Sequence, residues 1–134
     1  YGVYDPRDGR LEYVNAGHLP PLIFRADGTH ERVEAGGGMA LGMFDRATYT
    51  PATAMINPGD TLVLYSDGIT EAEDAAGRPF DEAGLVSTVA AHGDKDPDEI
   101  GRAIIDVVRR HAGDARLADD LTALVLKRGP SIPA

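Results

Sequence analysis

A chain of 134 residues, 43% of them apolar, is long enough to bury a real core. Its 13 basic and 22 acidic residues leave a net charge of −9 with no basic block, which argues against a nucleic-acid partner. The lack of cysteine excludes disulfides, thiolate zinc sites and a cysteine nucleophile.

No apolar run reaches the length of a membrane span, and the first residues are not a signal peptide. The expected compartment is the cytoplasm, with no membrane in this segment. The chain opens on YGVYD as if a strand began at once, so the expectation is a piece of a longer polypeptide. Residues 1–128 are expected to form a partial domain, and 129–134 a frayed tail.

Strands come first. Gly2–Asp5 and Leu11–Asn15 flank the turn PRDG. Pro21–Arg25 and His30–Glu34 flank Asp27-Gly28, a hairpin signal. The run Gly36–Gly38 reads as a flexible connection, and Met39 and Met43 as packing residues. Thr48–Ile56 is a further strand, with Pro51 arguing for an edge or a bulge.

After the turn Asn57-Pro58-Gly59-Asp60, the apolar run TLVLYS (Thr61–Ser66) reads as a central strand. The period then changes. Asp81–Ala91 is a short helix with Asp81 as N-cap. A longer helix runs from Asp96, its N-cap, to about Ala112, with Pro97 at the first position. Ile100, Ala103, Ile104, Val107 and Val108 share its apolar face, and Gly113 ends it. Leu121–Lys127 is a last apolar strand. Many strands, two helices and a strand favour α+β with a mostly antiparallel sheet.

Two acidic positions flank strands that read as fully buried: Asp67 after TLVLYS, and Asp119-Asp120 before LTALVLK. If the strands are antiparallel neighbours, these carboxylates meet at one rim. Gly68 would let the backbone turn sharply there. Converging carboxylates need a cation or a raised pKa, and oxygen ligands alone suit Mg²⁺ or Mn²⁺. The plainer reading is that Asp-Gly is a turn and Asp-Asp a solvated loop. His18 is a lone imidazole near a strand end, more often a structural hydrogen-bonder. Arg7 and Arg25 are candidate phosphate binders on hairpins, where arginines are usually just solvated. Ser66 has no His partner for a triad.

The blocks YVNAGHLPPLIF (Tyr13–Phe24), MALGMF (Met39–Phe44), PGDTLVLYSDGITEAED (Pro58–Asp74) and ADDLTALVLKR (Ala118–Arg128), in this order, resemble the SpoIIE/RsbU-like serine phosphatases, a bacterial branch of the PP2C-type (PPM) enzymes. The resemblance implies a PP2C-like β-sandwich flanked by helices and a binuclear Mn²⁺ or Mg²⁺ centre. A metal-activated water rather than a protein nucleophile would attack the phosphorus of phosphoserine or phosphothreonine. Asp67 and Asp119 match metal-ligating positions. Asp120, where many relatives have Asn, and Gly68 take supporting roles, Asp120 with the option of ligating. Gly17 and His18 match a signature of underived role. Ser66 stands where Thr is common, and Phe80-Asp81-Glu82 departs from a frequent Phe-Gly pattern.

The family's first acidic motif, which supplies the bridging Asp, has no counterpart here. The expectation is therefore that the N-terminal part of the domain is missing, and that these residues alone bind metal weakly, show negligible activity and tend to self-associate. The implied partners are a phosphorylated STAS-type anti-sigma-factor antagonist and an upstream sensor domain in the same polypeptide. The alternative is a non-catalytic, phosphatase-like protein-binding module.

Overall fold

Four of the first five strands form where the turn chemistry places them. The computed structural model describes residues 1–114 and 117–130. The expected tail, 129–134, therefore lies mostly outside the described residues. The chain divides into two compact units, Tyr1–Leu62 with the residues from Arg128 onward, and Val63–Lys127.

In the first unit, β1 (Gly2–Asp5), β2 (Arg10–Tyr13) and β5 (Ala52–Met55) form an antiparallel sheet in the order β1-β2-β5. The PRDG turn is held by Asp5, whose carboxylate accepts from the Arg7 backbone and guanidinium, and by Asp8, which accepts from the Arg10 N–H. β5 starts later than the sequence predicts. Pro51 offers no N–H to a ladder, so pairing begins at Ala52, opposite Tyr13. β5 is an edge strand, as Pro51 suggested.

β3 (Leu22–Phe24) and β4 (His30–Arg32) make the second hairpin. β3 is fully buried, and it lies between β4 and β6 (Thr61–Tyr65), a strand whose first two residues belong to this unit. The glycine run is not a flexible connection. Gly37 exchanges backbone hydrogen bonds with Thr50 (2.7 and 3.0 Å), and Gly38 donates to the Asn15 carbonyl (2.9 Å). Met39 and Met43 are not packing residues either: they are 52% and 65% exposed, beside Leu41 and Phe44, also exposed. These residues lie in no strand or helix, so no regular face turns their side chains toward the core.

Asp60 is the buried charge of this unit, at 2% exposure. Its carboxylate accepts from Arg25 Nη1 (2.5 Å), the Asn57 N–H (2.8 Å) and the Ala26 N–H (3.1 Å). Three donors on one carboxylate make burial tolerable.

The second unit holds the rest of β6, α1 (Asp67–Thr70), α2 (Asp81–Ala91), α3 (Pro97–Ala112) and β7 (Ala123–Lys127). β6 is buried along nearly its whole length, as its apolar run predicts. β7 is not. It is two residues shorter than expected and half-buried, with Leu124 53% exposed, because among the described residues only β6 borders it. α3 packs against β7 and α2. Its N-cap Asp96 accepts from the Glu99 N–H (2.8 Å), and Ile100, Ile104 and Val108 are wholly buried at four-residue spacing. α2 begins at Asp81 itself rather than after it. Asp81 has φ 59°, and its carboxylate still accepts from the Gly84 N–H (2.9 Å), as a capping side chain does.

These roles set a ranking. Asp96→Ala is expected to cost about 1 kcal/mol, and Asp60→Ala about 2 to 3 kcal/mol because it strands buried donors. Urea denaturation of the two variants checks this, and equal losses would contradict it.

Candidate metal centre

The two acidic positions lie on facing strand ends. Ser66, just past β6, donates its N–H to the Thr122 carbonyl (3.0 Å), and its hydroxyl donates to the Asp120 carbonyl (2.9 Å) while accepting from the Thr122 N–H (3.1 Å). At the other end of the pair, Arg128 donates to the Asp60 carbonyl (3.0 Å). Residue numbers fall along one strand as they rise along the other, so β6 and β7 are antiparallel. The end of β6 therefore meets the start of β7.

Sequence reasoning did not foresee α1. Asp67 is not in a loose turn but in the first turn of a one-turn helix, anchored by Ile69, which is wholly buried. Ser66 precedes it in a cap position, yet its hydroxyl is spent on the facing strand rather than on the helix. The Ser-Asp-Gly sequence carries a helix-start signal that the apolar run before it obscured.

Gly68 has a different reason from the one expected. Its φ is not positive, so no sharp turn requires glycine. A Cβ there would lie 2.5 Å from the Asp120 carbonyl oxygen and 3.3 Å from Asp119 Cβ. Only a residue without a side chain lets the strand ends close this far. Asp67 and Asp119 are thereby within one residue of a single backbone contact.

Both side chains are exposed at this rim. One oxygen of each accepts from the N–H of the next residue, Gly68 (2.9 Å) and Asp120 (2.7 Å). Those bonds fix orientation and leave lone pairs for a ligand. The donors are all oxygen, the chemistry of Mg²⁺ or Mn²⁺. Among the described residues no group of three or more His, Asp or Glu side chains assembles to hold a metal. The chain thus offers two carboxylates, a number from which Mg²⁺ is commonly bound while it keeps several waters. The residues fit such an ion on that count. Asp120 serves the rim through its carbonyl. A cleft of about 860 Å³ opens beside it, lined by Ile105, Arg109 and residues 117–122.

The other acids of the LYSDGITEAED stretch stand apart. Glu71 and Glu73 are exposed. Asp74 closes a small hairpin, accepting from the Ala76 and Arg78 N–H groups and from Arg78 Nε. His18 belongs to the first unit and works as a local hydrogen-bonder. Its Nδ1–H donates to the Leu19 carbonyl (2.9 Å), and its backbone N–H donates to Asn15 Oδ1 (2.8 Å). Arg7 is tied to Asp5, and Arg25 to Asp60 and Glu31.

Two expectations follow. Gly68→Ala must push the strand ends apart, costing about 1 to 3 kcal/mol and shifting the Asp119 and Asp120 amide signals; an unchanged spectrum would contradict the contact. The Arg78 backbone N–H, then its side chain, hold the Asp74 carboxyl down to about 2 from 3.8. A depressed folded value means that its stabilising contribution is whole above 3.8 and lost as pH falls through about 2. NMR titration of the carboxyl carbon checks this, and a midpoint near 3.8 would refute it.

The family described as Stage II sporulation protein E (SpoIIE) matches residues 1–129. The chain is 30% identical to Protein IcfG of Synechocystis over 132 residues, and 30% identical to the phosphoserine phosphatase RsbU of Bacillus subtilis over 129. The match takes in 96% of this chain in both cases, but only 20% of IcfG and 38% of RsbU. Among solved structures, the RsbU and RsbW domains of Rv1364c from Mycobacterium tuberculosis superpose with a TM-score of 0.80 at 29% identity, over 98% of this chain and 36% of that one. The PP2C phosphatase domain of SpoIIE from Bacillus subtilis, solved with a fragment of its regulatory domain, does so with a TM-score of 0.80 at 22% identity, over 98% and 37%. The latter likeness establishes a shared PP2C-like α+β fold. The SpoIIE phosphatase domain has also been solved presoaked with Mn.

Proposed function

The chain belongs to the SpoIIE family, and from that membership we propose that it serves a metal-dependent protein serine/threonine phosphatase of PP2C type. The observation that supports this reading is the close approach of the strand ends that carry Asp67 and Asp119, Ser66 bonded to Thr122 and Gly68 against the Asp120 carbonyl. The substrate class is a phosphoserine or phosphothreonine protein. RsbU kinship and the RsbW-bearing structural relative support a phosphorylated STAS-type anti-sigma-factor antagonist, within stress or sporulation-type sigma-factor control. A sensor domain in the same polypeptide would set the activity. Because the chain spans well under half of each curated relative, the activity is proposed for the full-length polypeptide.

Asp67 and Asp119 would hold the divalent cation, Mn²⁺ or Mg²⁺. When bound, such an ion lowers the pKa of a water and offsets the charge of a phosphoryl group. The protein's own part is positional. The Gly68–Asp120 contact fixes the separation of the strand ends. The Gly68 and Asp120 N–H groups orient the two carboxylates. No helix among the described residues is long and apolar enough to cross a membrane.

That no group of three or more metal-capable side chains assembles among the described residues fits a second reading, a phosphatase-like module that binds a signalling partner without catalysis. The two part in one experiment. Full-length protein should release phosphate from a phosphoserine protein only with Mn²⁺ or Mg²⁺, and Asp67→Asn or Asp119→Asn should weaken Mn²⁺ binding by more than about tenfold and abolish turnover. Unchanged Mn²⁺ affinity in Asp67→Asn would sink the metal reading. Partner binding without turnover or metal would support the module.

A further inference from the structure

An acidic rim that receives a phosphoryl dianion needs a cation besides any metal, since Asp67, Asp119 and Asp120 all repel the incoming group. The arginines that the sequence offered for this task are engaged: Arg7 with Asp5, and Arg25 with Asp60 and Glu31. In the second unit, Arg78 is paired with Asp74, and Arg102 faces Asp98 at 4.0 Å.

Arg109 differs. It lies in the last turn of α3, exposed, and among the described residues it forms no ion pair or side-chain hydrogen bond. It lines the cleft of about 860 Å³ that has Asp119, Asp120 and Thr122 on its other side. It also lines a second groove of about 520 Å³ that runs along α3 and β7, past Gly101, Ala123 and Val125. Ile105 and Arg109 are common to both. A guanidinium therefore stands where a groove of mixed lining, Ile105, Ala123 and Val125 beside Asp98, Arg102 and Asp106, opens onto the acidic rim.

We propose that Arg109 is a substrate-recognition residue whose guanidinium pairs with the phosphoryl oxygens of the phosphorylated side chain, while residues flanking that side chain lie in the groove between α3 and β7. This rests on the phosphatase reading. The planar fork of arginine matches two phosphoryl oxygens at once, which a lysine ammonium does not. Its place on a helix, whose face is fixed by the burial of Ile104 and Val108, fixes the backbone from which the guanidinium reaches the cleft. The mixed lining of the groove, apolar at Ile105, Ala123 and Val125 and charged at Asp98, Arg102 and Asp106, suits flanking residues that bring both apolar and polar side chains.

The test uses full-length protein with Mg²⁺ and a fluorescent phosphoserine peptide, its unphosphorylated serine counterpart, and inorganic phosphate as competitor. Arg109→Ala should weaken phosphoserine-peptide binding at least about tenfold. It should leave the serine counterpart and the Mn²⁺ affinity unchanged, and Arg109→Lys should restore part of the loss. Weaker competition by inorganic phosphate in Arg109→Ala would show that the same contact holds the product; a loss confined to the peptide would assign it to substrate. Undiminished phosphoserine binding by Arg109→Ala, or an equal loss for the serine peptide, overturns the proposal and leaves the phosphatase reading standing. If wild-type protein does not distinguish phosphoserine from serine, and Asp67→Asn does not change Mn²⁺ affinity, the phosphatase reading fails and the role of Arg109 falls with it.

Discussion

One backbone contact sets the geometry of the acidic rim. Gly68 lies against the Asp120 carbonyl so closely that a Cβ would sit 2.5 Å from its oxygen. The hydrogen bonds of Ser66 to Asp120 and Thr122 hold the same junction from the other side. Packing and hydrogen bonding thus close the two strand ends that carry the exposed, like-charged Asp67 and Asp119. In the proposed function, a hard cation would answer the negative charge at this rim. A buried strand ending on an acidic residue makes sense in these terms: packing along β6 anchors the backbone that carries Asp67.

The elements around the rim serve that fixity. α1 turns the chain immediately after Asp67 and buries Ile69. α2 is linked to β6 through the Tyr65 hydroxyl, which donates to Glu82 (2.8 Å). α3 covers β7 and presents Arg109 to the cleft. Lys127, at the end of β7, donates to the Gly93 and Lys95 carbonyls after α2 (2.7 Å each). The first unit has its own solution to a buried charge in Asp60, which is answered by three donors and asks for no ion. The contrast is chemical. Asp60 has its partners within the protein; Asp67 and Asp119 each have a single neighbouring N–H.

Sequence carried the strongest local signals. The periodicity and caps of α3 were legible because Asp96, Pro97 and the apolar residues at four-residue spacing act over short range. β6 was legible because a continuous apolar run suits a buried strand. The facing of Asp67 and Asp119 could be inferred once β6 and β7 were taken as antiparallel neighbours. What stayed hidden depends on partners distant in the chain. The need for glycine at position 68 comes from residue 120, not from its own φ. The order of Gly36–Gly38 comes from Asn15 and Thr50. The exposure of Leu124, Met39 and Met43 follows from which neighbours each side chain finds. Arg109 carried no sequence signal beyond its place in a basic last turn, since its meaning lies in the cleft it lines.

If Asp67 and Asp119 form one cation site, paramagnetic broadening by Mn²⁺ reveals it most directly, because it registers weak binding. On titration with Mn²⁺, the amide signals of Gly68, Ile69 and Asp120 should broaden first, and Asp119→Asn should remove the effect at Gly68 and Ile69. Broadening centred on Glu71 and Glu73, or insensitive to Asp119→Asn, would show that the ion answers to general surface charge and that the facing strand ends do not make a metal site.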